Sequence, residues 1–333
     1  MTSLHPTANG PPRSAAALVA PIAADLAEVE RVFAGQIASP RPHVARLIAH
    51  LDHYRGKRLR PTLLLLTARA CGDVTPAHHI LGAVVEMIHT ATLVHDDVLD
   101  EAALRRHSPT LNARWGNCSS ILLGDMLFSH AFHLASTVGD TLACEIIGAS
   151  TNRVCEGELH QVSESGNLEL TEEQYFEIID GKTAELTSCC CRLGAQYAGA
   201  DDETIEQVSG YGRCLGVAFQ IADDVLDLTG REDATGKTLG TDLAQGKLTL
   251  PLIHALERLA PEQAGRLRHL LHDPATPRES LLPYLRETNA LGYARQRAEE
   301  FAQRARDALR GLPATEARSI LATLTDWTIR REK

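Results

Sequence analysis

MIHTATLVHDDVLD (87–100) runs an apolar helical pattern into three aspartates, and FQIADDVLD (219–227) ends on the same five residues. On a helix, positions i and i+4 share a face and i+1 lies about 100° around. Asp96 and Asp100 therefore point one way with Asp97 beside them, and Asp223 and Asp227 do the same with Asp224. Like charges at that spacing weaken a helix by a few tenths of a kcal/mol per pair, roughly. A divalent cation removes the repulsion. All-oxygen donors with room for water and phosphate suit Mg²⁺, with Mn²⁺ as a substitute.

The helical period extends outward from both motifs. Ile80, Val84, Val85, Ile88 and Thr92 share a side, as do Leu26, Val29, Val32, Phe33 and Ile37. No run alternates with period two for more than a few residues. Breaks at Gly72-Asp73, Gly139-Asp140, Gly166-Asn167, Gly199-Ala200, Gly230-Arg231 and Asp273-Pro274 leave helices of roughly 12–28 residues. The pattern predicts an all-α fold. Residues 1–15 are polar and rich in Pro and Gly, and are expected to be a disordered tail. No composition shift divides the remainder, so 16–333 reads as a single domain.

The chain has 333 residues, 44% of them hydrophobic, and a net charge of −10. That charge argues against non-specific nucleic-acid binding. No apolar run approaches the ~18 residues of a membrane span, and no basic n-region precedes an apolar core, so neither a transmembrane segment nor a signal peptide is expected. The eight cysteines form no CxxC pair; Cys189, Cys190 and Cys191 are adjacent. They read as small buried hydrophobes in a reducing cytoplasm.

Basic residues answer the acidic motifs in four places: Gly56-Lys57-Arg58-Leu59-Arg60-Pro61, Arg105-Arg106, Gly181-Lys182-Thr183, and the pair Gly236-Lys237 with Gly246-Lys247. Lys and Arg beside Gly, near metal-binding Asp, is a residue set that holds diphosphates. Taken singly each is weak, since a Gly-Lys pair is usually a turn and Arg-Arg on a helix usually a solvated face. No Walker A pattern occurs.

Taken together, GKRLRP (56–61), HTATLVHDDVLDEAALRR (89–106), GKTAEL (181–186), FQIADDVLD (219–227) and GTDLAQGKLTLPLIHAL (240–256) resemble, in order and spacing, the signature blocks of trans-polyprenyl diphosphate synthases. The resemblance spans about residues 25 to 330 and is nearest to the bacterial long-chain, octaprenyl-type group. It implies a helical bundle around a deep cavity, a homodimer, and Mg²⁺-dependent 1′-4 condensation of isopentenyl diphosphate onto an allylic diphosphate, for quinone side chains. By the same resemblance Asp96, Asp100 and Asp223 hold metal, with Asp97, Asp224 and Asp227 in support. Arg105, Lys182, Lys237 and Lys247 meet the allylic diphosphate, Thr183 and Gln220 lie near the ionising carbon, and Lys57, Arg60, His89 and Arg106 form the isopentenyl diphosphate site. Leu248 stands where many relatives have Pro, which should alter a turn only.

The reaction breaks an allylic C–O bond, which needs charge neutralised on the leaving diphosphate. His89 reads better as a diphosphate donor than as a base, and His95 as a contact to a neighbouring helix. Glu156, Glu158 and Gln161 either line the cavity or form a structural network. The growing tail should run along the helix before Asp96, past Ala91, Thr92, Ile88, Met87 and Val84. Thr92 and Ala91 are small where short-chain relatives often carry an aromatic ring, so thirty carbons or more are expected. A short-chain synthase remains the alternative. A terpene cyclase would not need a second DDxxD with Lys57 and Arg60, and a non-catalytic subunit would lack one motif or the basic clusters.

Overall fold

The structure is a computed structural model that describes residues 18–230, 240–273 and 276–329. The expected N-terminal tail lies outside them. Helices dominate, in the order α1 (Ala23–Ile37), α2 (Pro42–His50), α3 (Leu59–Cys71), α4 (Pro76–Leu99), α5 (Leu111–Ala135), α6 (Leu142–Ser163), α7 (Glu172–Ile179), α8 (Glu185–Tyr197), α9 (Asp202–Thr229), α10 (Leu250–Arg258), α11 (Pro261–Leu271), α12 (Leu282–Glu287), α13 (Ala290–Ala308) and α14 (Glu316–Ile329). The all-α expectation holds, although α2, α7, α10, α11 and α12 are shorter than the breaks implied.

The two motif-bearing helices sit at the centre because they are apolar nearly all round. In α4, Leu81, Val84, Val85, Met87, Ile88, Ala91 and Val94 are all buried. Each fully buried side chain of the larger kinds contributes roughly 1.5–3 kcal/mol. Thr75 starts α4, with Pro76 in the first turn and His78 closing a capping box back to the Thr75 backbone N–H at 2.9 Å. Asp201 caps α9 by accepting from the Thr204 N–H at 2.8 Å, and the helix runs 28 residues to Gly230.

One core gathers α1, α3, α4, α5, α6, α8 and the first turns of α14. A second gathers α7, α10, α11, α12 and α13. The helix α9 serves both: Ile205, Val208, Tyr211 and Leu215 belong to the first, Val217, Ile221 and Val225 to the second.

Two features depart from expectation. Pro76–Leu99 and Leu111–Val138 are long and apolar enough to cross a membrane by length and composition, with 67% and 33% of their most apolar windows buried. The apolar residues are dispersed along these helices, so no uninterrupted run announces them. Arg105 and Arg106 are not helical: β1 (Leu104–Arg105) pairs antiparallel with β2 (Ser108–Pro109). The α4 helix ends at Asp100, and the hydroxyl of Thr110 and the amide of Asn112 donate to the Ala102 carbonyl, Asn112 also to that of Asp97. These bonds satisfy carbonyls that a helix end leaves open, and they let the chain turn back as a hairpin.

Candidate active site

The two acidic motifs and the lysines Lys182 and Lys247 converge where α4, α6, α9 and the loop before α10 meet. Lys247 spans the gap: its Nζ lies 3.1 Å from Asp100 Oδ1 of the first motif. Lys182 donates to Glu158 and Gln161 at 2.9 and 2.6 Å and feels the charge of Asp96 and Asp100. Glu158 and Gln161, left open between lining and scaffold, are thus counter-groups of Lys182. Burial, reinforced by Glu158 and Asp100 against the pull of Lys182, pushes Asp96 up to about 6.

The middle aspartates behave differently from their neighbours. Asp97 is 1% exposed and Asp224 3%. Asp97 accepts from the Tyr54 hydroxyl at 2.6 Å and from Arg105 Nε at 2.9 Å. Asp224 accepts from the Tyr175 hydroxyl at 2.6 Å and from Gln220 Nε2 at 2.7 Å. Their oxygens are thus committed to protein donors. Asp227 accepts from the Gly240 N–H at 3.1 Å and ties down the loop that leads to Lys247.

A residue the sequence reasoning missed completes the second motif. Asp242, in Gly240-Thr241-Asp242-Leu243, is half-buried near Asp223 and Asp227, and loss of solvent followed by the Asp227 charge pushes it up to about 7. The block containing it was visible, but nothing in its local pattern set this aspartate apart from a loop residue.

Lys182 and Thr183 owe their placement to a π-turn, Asp180–Ala184, inserted between α7 and α8. Gly157 of α6 makes room for it: a Cβ there would lie 2.5 Å from the Lys182 backbone nitrogen. Arg213 of α9 pairs with Asp180 and Glu185, the residues that bracket the turn. Thr183 donates to Gln220 Oε1 at 2.8 Å, so these two expected partners do meet.

The second basic group gathers around His89, about two turns before Asp96 on the same face of α4. Arg60 has a buried Nε with no acceptor among the described residues, and burial holds its pKa down. His89 is pushed well below the ordinary histidine range by burial and then by Arg60, Arg105, Arg106 and Arg58. Arg106 donates to the Tyr54 carbonyl at 2.8 Å and occupies space that a Cβ on Gly56 would take. Lys57 holds its ammonium 4.4 Å from the Trp327 ring centroid. Lys237 lies outside the described residues.

Along α4 the expected cavity wall is mostly sealed. Thr92 keeps some surface, but Ala91, Met87 and Val84 are 0% exposed and Ile88 1%. They are packed into the core that α4 forms with α1, α3, α5 and α8. His95 turns to α5, 3.2 Å from the Ile121 carbonyl, as expected. The cysteines 189–191 are buried, with burial pushing Cys189 and Cys191 up to about 12.

Among the described residues no three carboxylates close on one point. The arrangement instead offers one or two carboxylates at a time, facing a gap lined by ammonium groups. Such a donor set fits a hard divalent cation that completes its shell with water and phosphate.

The comparisons agree with this geometry. A family profile described as polyprenyl synthetase matches residues 41–287. The octaprenyl diphosphate synthase of Escherichia coli is 38% identical over 93% of this chain and 97% of its own length. The all-trans-nonaprenyl-diphosphate synthase (geranyl-diphosphate specific) of Rhodobacter capsulatus is 37% identical over 94% and 97%. The crystal structure of a polyprenyl synthase from Caulobacter crescentus, complexed with calcium and isoprenyl diphosphate, superposes with a TM-score of 0.91 at 35% identity over 98% of this chain and 100% of that one. With the paired acidic motifs, their facing lysines and this match over nearly the whole length, the chain belongs to the polyprenyl synthetase family and is a prenyltransferase.

Proposed function

We propose that this enzyme makes a long-chain all-trans polyprenyl diphosphate by repeated condensation of isopentenyl diphosphate onto an allylic diphosphate, for quinone side chains. The single observation that carries the reading is the presence of two separate charged groups: Asp96, Asp100 and Asp223 with Lys182 and Lys247, and Arg60, Arg106 and His89. Two diphosphates need two such sites; a one-substrate cyclase needs one. Kinship with octaprenyl and nonaprenyl synthases supports the long product.

Asp96, Asp100 and Asp223 would hold Mg²⁺, or Mn²⁺ in its place. When bound, the metal neutralises charge that develops on the leaving diphosphate. Lys182 and Lys247 add fixed positive charge there, and Arg105 stands behind Asp97 with the same sign. Gln220 must turn its NH₂ toward the acceptor Asp224, so its carbonyl oxygen faces Thr183. A partial negative charge is thereby placed near the allylic cation without a nucleophile that could trap it.

Arg60, whose buried Nε lacks an acceptor among the described residues, receives the second diphosphate with Arg106, His89 and Lys57. His89, neutral in a nest of guanidiniums, is a poor base and a serviceable hydrogen-bond donor. The departing diphosphate is the acceptor we assign to the final proton.

The reading includes a single domain over 16–333, a homodimer and a cytoplasmic location. Eight unpaired cysteines suit a reducing compartment. Purified protein given labelled isopentenyl diphosphate, an allylic primer and Mg²⁺ should extend the primer to thirty carbons or more on chromatography. No incorporation by the protein alone would overturn the proposal.

A further inference from the structure

The two acidic motifs share an arrangement that goes beyond their sequence. In each, the middle aspartate is buried and uses one oxygen for a tyrosine hydroxyl and the other for a group assigned to substrate. In the first motif the set is Tyr54, Asp97 and Arg105. In the second it is Tyr175, Asp224 and Gln220. The tyrosines come from unrelated places in the chain, Tyr54 from the short turn after α2 and Tyr175 from α7. Both are buried, at 4% and 3% exposure.

A carboxylate with two free oxygens can swing about its own bonds. Once one oxygen is fixed by a buried hydroxyl, the direction of the other is fixed too, and with it the position of the side chain it holds. We propose that Tyr54 and Tyr175 are positioning residues, each aiming one substrate-facing group through the middle aspartate of its motif. The inference rests on the prenyltransferase reading above and assigns each tyrosine a different step.

Tyr54 acts on binding. It governs Arg105 through Asp97, and its ring lies 5.8 Å from the Arg105 guanidinium carbon. Its link to Arg106 runs through the backbone carbonyl, which no side-chain change removes. Loss of the hydroxyl should therefore disturb the allylic diphosphate more than the second one. Tyr175 acts on the chemical step. Its chain of bonds ends at Gln220 and Thr183, so loss of its hydroxyl frees the amide to rotate and present NH₂ toward a carbon that becomes positive.

Tyr54→Phe and Tyr175→Phe separate the two roles, since each deletes one oxygen and keeps the ring. Tyr54→Phe should raise KM for the allylic substrate about tenfold, the ratio expected for losing one hydrogen bond to a charged partner, with KM for isopentenyl diphosphate within about twofold. Tyr175→Phe should lower kcat about tenfold with both KM values held. Tyr54 also accepts from the Leu111 N–H at 3.1 Å, so some stability is lost as well. Such a loss moves the melting temperature but not the split between the two constants. Binding of an unreactive thiolodiphosphate analogue of the allylic substrate, with Mg²⁺, gives a second readout that needs no turnover: it should weaken about tenfold in Tyr54→Phe and hold in Tyr175→Phe. Identical kinetic changes in the two variants, or unchanged analogue binding in Tyr54→Phe, overturn the assignment. An inactive wild type that still binds the analogue would refute the condensation reading while leaving this binding test decisive for Tyr54.

Discussion

At the scale of single residues, the first and third aspartates of the first motif do different work from the second. Asp96 and Asp100 face lysines across the gap, whereas Asp97 is committed to Tyr54 and Arg105. Asp96→Ala or Asp223→Ala should lower turnover by about 10²- to 10³-fold, as for the loss of one electrostatic element at a reacting group, with substrate binding weakened less. A near-normal rate in Asp96→Ala would end the metal assignment. The raised carboxyls also make a pH prediction. Asp96, pushed up to about 6, and Asp242, pushed up to about 7, hold protons more tightly in the folded protein than at their ordinary value of 3.8. Their contribution to stability is therefore greatest at low pH and falls as pH rises from about 4 through 7. A divalent cation taking the proton's place should restore it. Mg²⁺ should hardly change the melting temperature at pH 5 and should raise it by about 3 °C or more at pH 8. Equal shifts at both pH values would contradict this. The aspartates themselves were legible because helix geometry turns DDVLD into a face. Tyr54 and Tyr175 were not, since their partner aspartates lie 43 and 49 residues away. No local pattern records such a meeting.

At the scale of elements, the helical period located α4 and α9 closely, while two local irregularities escaped it. The hairpin carrying Arg105 and Arg106 has only two residues per strand, and the left-handed Arg106 in its turn is not a type that favours positive φ. Adjacent residues on a helix would point about 100° apart; here Arg105 reaches Asp97 and Arg106 the Tyr54 carbonyl because the chain reverses between them. Arg105→Ala should mainly raise KM for the allylic substrate and Arg106→Ala that for isopentenyl diphosphate; the same change in both would merge the two sites. The π-turn at Asp180–Ala184 depends on a glycine in another helix, so its own sequence could not announce it. Gly157→Ala places a methyl group against the Lys182 backbone and must shift the turn. Turnover should fall at least about tenfold, since misplacing a reacting group by ~1 Å can cost ~10². Full activity in a folded Gly157→Ala protein would show that the turn tolerates displacement.

At the scale of the whole molecule, Leu122, Leu159 and Val162 remain 61%, 69% and 55% exposed on the adjoining helices α5 and α6. Large apolar side chains left in water over two neighbouring helices mark a face for association. Light scattering should return about twice the chain mass of 36.1 kDa. Leu122→Asp with Leu159→Asp should return one chain mass, and a persistent dimer would place the contact elsewhere. Leu159 is next to Glu158, and Val162 next to Gln161, the two groups that hold Lys182. Separation of the copies should therefore lower activity as well.

The sealed face of α4 has a consequence for how product length is set. Below Thr92 the proposed path is closed: Ala91, Ile88, Met87 and Val84 touch protein on every side. A tail advancing along this helix does not fall into a ready-made tube. It has to wedge apart side chains already in contact, and each five-carbon step exchanges protein packing for tail packing. On the proposed path elongation should end where the seam resists further opening, less as at a ruler's mark than as a zip against a spring. Ala91→Tyr stiffens the seam near its mouth and should shift products toward fifteen or twenty carbons. Warming, which loosens side-chain packing without moving any one residue, should lengthen the average product and spread its distribution.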